Sequence, residues 1–295
     1  MKNNKPNVLV LGATGKVGAE TIRILEKAGD VNVIAGVRSP HKAQHLKDQE
    51  IEVRHLDLDK QETLAPALKD IDRALLLTSY TVDMLMQSKA FLDEAKQANV
   101  KHIVHIGASG APTNQVAHWA WHQFIEKYIE ALGFSFTHLR PEAFMQNITG
   151  PGYRWLEGNT ILNYAGSDPW SWIDCDDLAL VVATTLREAD KYSGQTIQLG
   201  YDGKTFDEIA QILTDTLGKP FHAEDRPRDE FLENTLASGA DPAYMNCVYH
   251  QFKLNVEGKI PDAGATFDNF EAITGQKPMT WESLISKHRD ELLQA

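Results

Sequence analysis

Cysteine is scarce: Cys175 and Cys247 are the whole complement of a 295-residue chain. Two thiols cannot build a disulfide framework or a cysteine-based zinc site. Long apolar runs are missing too, and none approaches the roughly 20 residues of a membrane span. The polar start, Met1-Lys2-Asn3-Asn4-Lys5-Pro6, leads into a short apolar strand and does not read as a secretory signal. A cytoplasmic location with no membrane partner is therefore expected. Basic charge is in short supply as well. Twenty-nine Lys and Arg face forty-one Asp and Glu, a net charge of −12. Phosphate backbones are held by basic stripes, so no nucleic-acid partner is expected. No internal repeat or low-complexity segment stands out. The length exceeds the ~100–200 residues of one ordinary domain and suffices for a sizeable core.

What is present is alternation. Asn7 to Leu11 is a continuous Val/Leu run, as expected of a parallel strand buried on both faces. Val17, Thr21, Ile24, Leu25 and Ala28 then recur at helical spacing, with Gly29 placed to end the helix. Further strands are expected at Val31–Val37, Ile51–Leu56, Ala74–Thr78 and Val100–Ile106. Helices are expected at His41–Gln49, Gln61–Leu68, Val82–Ala98 (closed by Asn99) and Gln115–Leu132 (closed by Gly133). Strands alternating with helices imply βαβ units in a doubly wound parallel α/β sheet.

The texture changes after Arg140-Pro141. Residues 150–172 hold Gly150-Pro151-Gly152, Gly158, Gly166, Trp155, Trp170 and Trp172, and read as a loop-rich, aromatic stretch. Asp177–Ala189 returns to helix and Thr196–Leu199 to strand. Residues 201–295 show helices near Phe206–Leu217, Arg228–Ser238 and Thr280–Leu293, with no clear strand series. The expected division is a dinucleotide-binding domain, 1–149 rejoined by 173–200, and a smaller, mostly helical substrate-binding cap, 150–172 with 201–295.

Gly12-x-x-Gly15-x-x-Gly18 follows the first strand and opens the first helix, the context in which a glycine loop binds a dinucleotide. The glycines permit a tight turn, close approach of a pyrophosphate and close helix–strand packing. The helix N-terminus of Lys16, Val17 and Gly18 then meets the phosphates, with Thr14 beside them. An acid at the end of the second strand would select NAD. This segment reads Ala35-Gly36-Val37-Arg38-Ser39, without one. A guanidinium can hold a 2′-phosphate bidentately, so NADP(H) is preferred over NAD(H), with His41 and Lys42 adding positive charge. The alternative is a solvated Arg38. Asp57, beside Leu58 after the third strand, is placed to accept from the adenine amino group, or else to cap the following turn. Thr78 and Ser79 close the fourth strand along the expected cofactor path.

These marks continue through His118-Trp119, Glu126, Leu139-Arg140-Pro141 and Phe144-Met145-x-Asn147. Trp172-Ile173-Asp174-x-Asp176-Asp177-Leu178-Ala179 and Thr274-Gly275-Gln276-Lys277-Pro278 follow. Together they resemble the NmrA-like group of atypical short-chain dehydrogenase/reductases, over essentially the whole chain. The resemblance implies a Rossmann fold and the activities of that group. These are NAD(P)H-dependent reduction of quinones, triphenylmethane dyes or azo dyes, or cofactor-sensing co-regulation. One departure is plain. The larger superfamily uses a Tyr-x-x-x-Lys pair on the helix after the fifth strand, where this chain reads His118-Trp119-Ala120-Trp121-His122-Gln123. Some members of the group keep a Lys at the position of His122. The one Tyr-x-x-x-Lys spacing here, Tyr249 to Lys253, lies far beyond the sheet and reads as coincidence.

The proton for a reduction must come from elsewhere. Ser109 lies at the carboxyl end of the sheet, where open α/β folds bind ligands, or else caps a turn. His118 and His122 share a helix face and titrate near neutrality, or else anchor the helix. Glu126 extends that face, either orienting His122 or pairing with a surface ion. His118, His122 and Glu126 lack a further ligand of compelling spacing, so no metal is expected. Asp177 reads as an N-cap. Tyr80, Trp119, Phe144, Trp155 and Trp170 offer faces for a flat aromatic substrate, against the alternative of core packing. The expected protein is an NADPH-dependent reductase of a small conjugated or aromatic compound, acting as a monomer or homodimer. A non-catalytic redox sensor is the rival.

Overall fold

The computed structural model describes residues 5–109, 115–149 and 155–294. Gly150-Pro151-Gly152, which figured in the sequence reading, lies outside the described residues. The chain opens with β1 (Asn7–Val10), α1 (Lys16–Ala28) and β2 (Asn32–Val37). A 3₁₀ turn, Pro40–Ala43, leads into α2 (Gln44–Asp48) and β3 (Glu52–His55). Another, Gln61–Thr63, leads into α3 (Leu64–Leu68), β4 (Arg73–Leu77) and α4 (Met84–Gln97). Then come β5 (His102–Ile106), α5 (Ala117–Ala131), β6 (Ser135–Pro141), β7 (Ala143–Phe144) and α6 (Gln146–Thr149). These are followed by β8 (Leu156–Glu157), β9 (Thr160–Asn163), β10 (Trp170–Ile173), α7 (Cys175–Arg187) and α8 (Ala189–Tyr192). Next are β11 (Gln195–Leu199), β12 (Asp202–Lys204), α9 (Phe206–Leu217), β13 (His222–Asp225) and α10 (Arg228–Ala237). The last are α11 (Pro242–Val256), α12 (Phe270–Thr274), α13 (Trp281–Lys287) and α14 (Arg289–Gln294). Among the described residues, no helix is long and apolar enough to cross a membrane.

Two compact units result. The first takes residues 1–108, 121–140 and 178–197, the second 109–120, 141–177 and 198–295. The first is built on a seven-stranded sheet in the order β11-β6-β5-β4-β1-β2-β3. Pairing is parallel from β3 through β6. Strand order reverses between β1 and β4, which makes the carboxyl ends of those strands the natural crevice for a ligand. Val8, Leu9, Val10, Ala74, Leu75 and Leu76 are fully buried, as the continuous apolar runs require of strands covered on both faces. The expected helix stops hold: Gly29, Asn99 and Gly133 all take positive φ. Arg73 on β4 donates from Nη1 to the carbonyls of Leu186 (2.6 Å) and Arg187 (2.7 Å), satisfying the exposed end of α7.

The second unit differs from its sequence reading. It carries two small sheets, β12-β10-β7 and β13-β9-β8, beside its helices. Strands of two to four residues are too short to show period-two alternation, which is why 155–172 read as loop and 201–295 as strandless. Helix α11 went unread. The expected helix Thr280–Leu293 is two helices, α13 and α14, interrupted at His288 (φ −105°). The core of this unit is aromatic. Trp172 is fully buried, 6.0 Å from Trp170, 5.4 Å from Trp281 and 5.7 Å from Phe206, centroid to centroid. Trp155 lies 5.8 Å from Phe206 and 6.0 Å from Phe252. Such stacked, edge-to-face and tilted pairs add to area burial.

Trp172→Ala would open a cavity that the neighbouring rings of Trp170, Phe206 and Trp281 cannot fill. A loss of about 3–5 kcal/mol in urea unfolding is expected; a loss under ~1 kcal/mol would contradict the central place given to this ring.

Candidate functional site

The site begins with the turn that follows β1. Gly12 takes φ +65°, and a Cβ there would stand 2.8 Å from a Leu77 methyl. Gly15 N–H donates to Gly12 O at 2.8 Å, closing the turn. A Cβ on Gly18 would come within 2.2 Å of that same Gly12 carbonyl, so α1 can lie against the turn only if Gly18 has no side chain. Gly15 is the N-cap of α1 and offers no side-chain acceptor, and the first turn holds no acid. Its N–H groups and positive dipole end are left for an outside anion.

A cavity of about 260 Å³ opens at the carboxyl ends of β1 to β4. Leu11, Gly12 and Thr14 line it from the turn, Gly36 to Arg38 from β2, Leu56 to Asp59 from β3, and Leu77 to Ser79 from β4. The sequence-predicted Gly12, Thr14, Arg38, Asp57, Leu58, Thr78 and Ser79 are thereby brought to one place. Gly15, Lys16, Val17 and Gly18 belong to the turn and first helical residues beside it. Arg38 is exposed and makes no ion pair among the described residues, so its guanidinium is available to a ligand. Asp57 is buried, and its Oδ1 accepts from Asp59 N–H at 3.2 Å. It therefore does cap its turn, while still facing the cavity.

Sequence reasoning missed Gln87. It lies in the first turn of α4, lines the same cavity and is 5% exposed. Its Nε2 donates to Asp59 Oδ1 at 2.6 Å, but its buried Oε1 has no partner among the described residues. A buried acceptor without a donor is costly, and an amino group entering the cavity would relieve it. The close backbone cradle, the bare helix end and this orphaned acceptor fit a dinucleotide.

The candidate proton donors are placed less uniformly. Ser109 is half-buried, and its N–H donates to Pro141 O at 2.6 Å. His118 belongs to the second unit, buried with its ring 5.3 Å from that of Tyr244 and its Nδ1 unpartnered among the described residues. His122 belongs to the first, with Nδ1 3.3 Å from His105 Nε2. Glu126 neither pairs with a surface ion nor stands exposed. It is 1% exposed and bound in fork geometry by Arg140, whose Nε donates to Oε1 at 2.9 Å. Asp177 is not the N-cap of α7. Asp174 Oδ1 takes that role, accepting from Asp176 N–H at 2.8 Å, while Asp177 accepts from Met279 N–H at 2.6 Å. Helix α7 begins two residues earlier than the apolar pattern suggests. The Tyr249–Lys253 spacing lies on α11, where Tyr249 donates to Asp229 at 2.7 Å.

Of the candidate substrate contacts, Tyr80 is 54% exposed and Phe144 half-buried. Trp119, Trp155 and Trp170 are buried, and the last two pack in the aromatic core of their unit. That unit has a cavity of about 400 Å³, but Asp168, Asp207, Asp225 and Arg228 make it polar and charged. Glu142, also unforeseen, follows Arg140-Pro141 at the end of β6. Desolvation pushes its carboxyl up to about 7 despite a hydrogen bond from Ser171 N–H.

Burial holds His102, His118 and His138 down to about 4 and His105 well below its usual value. These imidazoles are neutral in the fold and bind protons more readily once unfolded. Their contribution to stability is intact above about pH 6.5 and is lost as pH falls toward 4. Glu142 and Asp177, both raised to about 7, act in the opposite sense, and their contribution is lost as pH rises through 7. His118→Gln removes one of the bases. Between pH 6.5 and 4 this variant is expected to lose about 3 kcal/mol less stability than the wild type; parallel pH–stability curves would contradict the burial argument. Gly18→Ala drives a Cβ into backbone, and at least a hundredfold loss of dinucleotide affinity by calorimetry is expected, about 3 kcal/mol; unchanged affinity would refute the close approach.

A model of the NmrA-like family matches residues 4–285. The chain is 28% identical over 214 residues to the NAD(P)H azoreductase of Xenophilus azovorans, covering 72% of this chain and 74% of that protein. It is 29% identical over 215 residues to quinone oxidoreductase 2 of Escherichia coli strain K12, covering 72% and 75%. Among solved structures, the Citrobacter sp. triphenylmethane reductase complexed with NADP(H) superposes with a TM-score of 0.80 at 26% identity, covering 96% and 99%. The family match spans nearly all of the chain, and it coincides with the glycine turn and strand order described above: the protein belongs to the NmrA-like family.

Proposed function

We propose that this protein is an NADPH-dependent reductase that delivers a hydride to a small conjugated or aromatic compound, such as a quinone, enone, imine, azo compound or carbonyl. The observation that carries the reading is the cavity at the carboxyl ends of β1 to β4. An uncapped helix end borders it, and Arg38 lines it with no ion pair among the described residues. The related azoreductase and quinone oxidoreductase, and a structural neighbour complexed with NADP(H), support it.

The bound cofactor supplies the hydride; the chain supplies position and a proton. The glycine turn holds the pyrophosphate, Asp57 and Gln87 meet the adenine amino group, and Arg38 selects the 2′-phosphate. Residues 1–149 with 173–200 carry this work, and 150–172 with 201–295 select the substrate. Tyr80 and Phe144, which keep accessible ring surface, are the foremost substrate contacts. Ser109 and Glu142 lie on backbones joined by the Ser109–Pro141 hydrogen bond. A carboxyl half-protonated at neutral pH suits a general acid. His118 is neutral at that pH and is the weaker donor. The absence of Tyr-x-x-x-Lys from α5 favours one second reading, a cofactor-binding sensor without turnover.

Purified protein mixed with NADPH and a panel of quinones, enones, imines, azo dyes and aldehydes should oxidise the cofactor at catalytic enzyme levels. Tight NADPH binding with no turnover on any class would establish the sensor instead. Arg38→Ala should weaken NADPH by about 10–100-fold, the worth of a charge-assisted hydrogen bond pair, while leaving NADH nearly unchanged; an unaltered ratio of the two dissociation constants would overturn the cofactor assignment. Glu142→Gln should remove the limb near pH 7 from the kcat profile, and a profile that keeps this limb would exclude Glu142 as the acid.

A further inference from the structure

We propose that His105, His138 and Glu126, with His122 beside them, form a binding site for one divalent transition-metal cation of the zinc class. All four belong to the first unit, and the site does not depend on the cofactor reading.

The fold brings the donors together from three elements. His105 on β5 and His138 on β6 are direct partners in the parallel register, so both side chains leave the same face of the sheet. Their ring centroids are 5.9 Å apart and nearly perpendicular. His122 and Glu126 stand one turn apart on α5. The nearest donor atoms of His105, Glu126 and His138 all lie within 4.8 Å of one another. A tetrahedral zinc with bonds of about 2.0–2.1 Å holds its ligands about 3.4 Å apart. Binding would therefore draw these side chains closer together. His122 Nδ1, 3.3 Å from His105 Nε2, is within reach as a fourth ligand.

The chemistry of the set is suitable. Two or three imidazoles with one carboxylate favour Zn²⁺ and its neighbours over Mg²⁺ or Ca²⁺, which prefer all-oxygen shells. The residues are buried, with His105 and His138 fully so. His105 Nδ1 and both ring nitrogens of His138 have no hydrogen-bond partner among the described residues. Buried polar atoms are almost always satisfied; one cation could answer one nitrogen of each ring, with Glu126 beside them and Glu130 Oε1 3.6 Å from His138 Nε2.

Arg140 competes for the site. Its guanidinium holds Glu126, and both cations cannot share that carboxylate closely. A bound metal would take over Glu126 and release Arg140, whose side chain is 19% exposed, toward solvent. This exchange gives the proposal a signature that a surface histidine site lacks.

The test uses tag-free, chelator-stripped protein titrated with Zn²⁺ by calorimetry and with Co²⁺ by visible absorption. One equivalent should bind, with intense Co²⁺ bands diagnostic of four-coordination. His138→Ala and Glu126→Gln should each weaken binding by more than about tenfold. Arg140→Gln should strengthen it, and the melting temperature of that variant should rise with Zn²⁺ more than the wild type's does. Circular dichroism and cooperative unfolding establish that each variant folds, and Arg140→Gln reads the exchange even where a ligand variant does not. No saturable uptake of one equivalent, or uptake unaltered by all three substitutions, would overturn the site.

Discussion

The dinucleotide cradle depends on the absence of one atom. A Cβ at Gly18 would sit 2.2 Å from the carbonyl of Gly12, which is backbone and cannot swing aside. Because that atom is missing, α1 starts directly behind β1, with its first N–H groups uncapped and its dipole directed at the turn. The reversal of strand order between β1 and β4 places the ends of β2, β3 and β4 around the same spot. A larger residue at Gly18 would push the helix away and separate the N–H groups from Arg38, Asp57 and Thr78. The fold and the cavity are thus set by the same contact.

The core behind this cradle is polar to an unusual degree. His102, His105, His122, His138, Glu126 and Thr137 are all buried within the first unit. Some of this polarity is answered locally. His102 Nδ1 lies 2.7 Å from Ser135 Oγ, Thr137 Oγ1 donates to Tyr192 O, and Arg140 neutralises Glu126. Breaking a buried pair such as Glu126–Arg140 by removing one partner typically costs about 3–5 kcal/mol. His105 Nδ1 and the ring nitrogens of His138 are the part left without a hydrogen bond among the described residues. Their neutrality at pH 7 follows from burial, and it ties this unit's acid stability to its imidazoles.

The second unit uses aromatic residues in two ways. Trp155, Trp170, Trp172, Trp281, Phe206 and Phe252 form a core, each within about 6 Å of another ring. Its short strands are held by that core more than by their own few hydrogen bonds. Rings with accessible surface are fewer, and Phe144 at the end of β7 is one of them.

Local pattern was enough for most of the first unit, although β6 went unread. Continuous apolar runs announced β1, β2, β4 and β5, and glycine or asparagine at positive φ ended the helices where the sequence placed them. The glycine spacing and the missing acid before Arg38 announced the cofactor cavity, since both are contiguous signals with a fixed stereochemical meaning. Tertiary structure decided the rest. Asp57 proved to cap its turn as well as line the cavity, and Asp177 gave up its cap to Asp174. Gln87 and Glu142 acquired their surroundings from residues up to 29 positions away. His105 and His138 are separated in sequence by a helix and meet only because β5 and β6 pair in register. Periodicity reports which face of an element is apolar. It carries no information about which buried polar groups will face one another, because strand order and register set that.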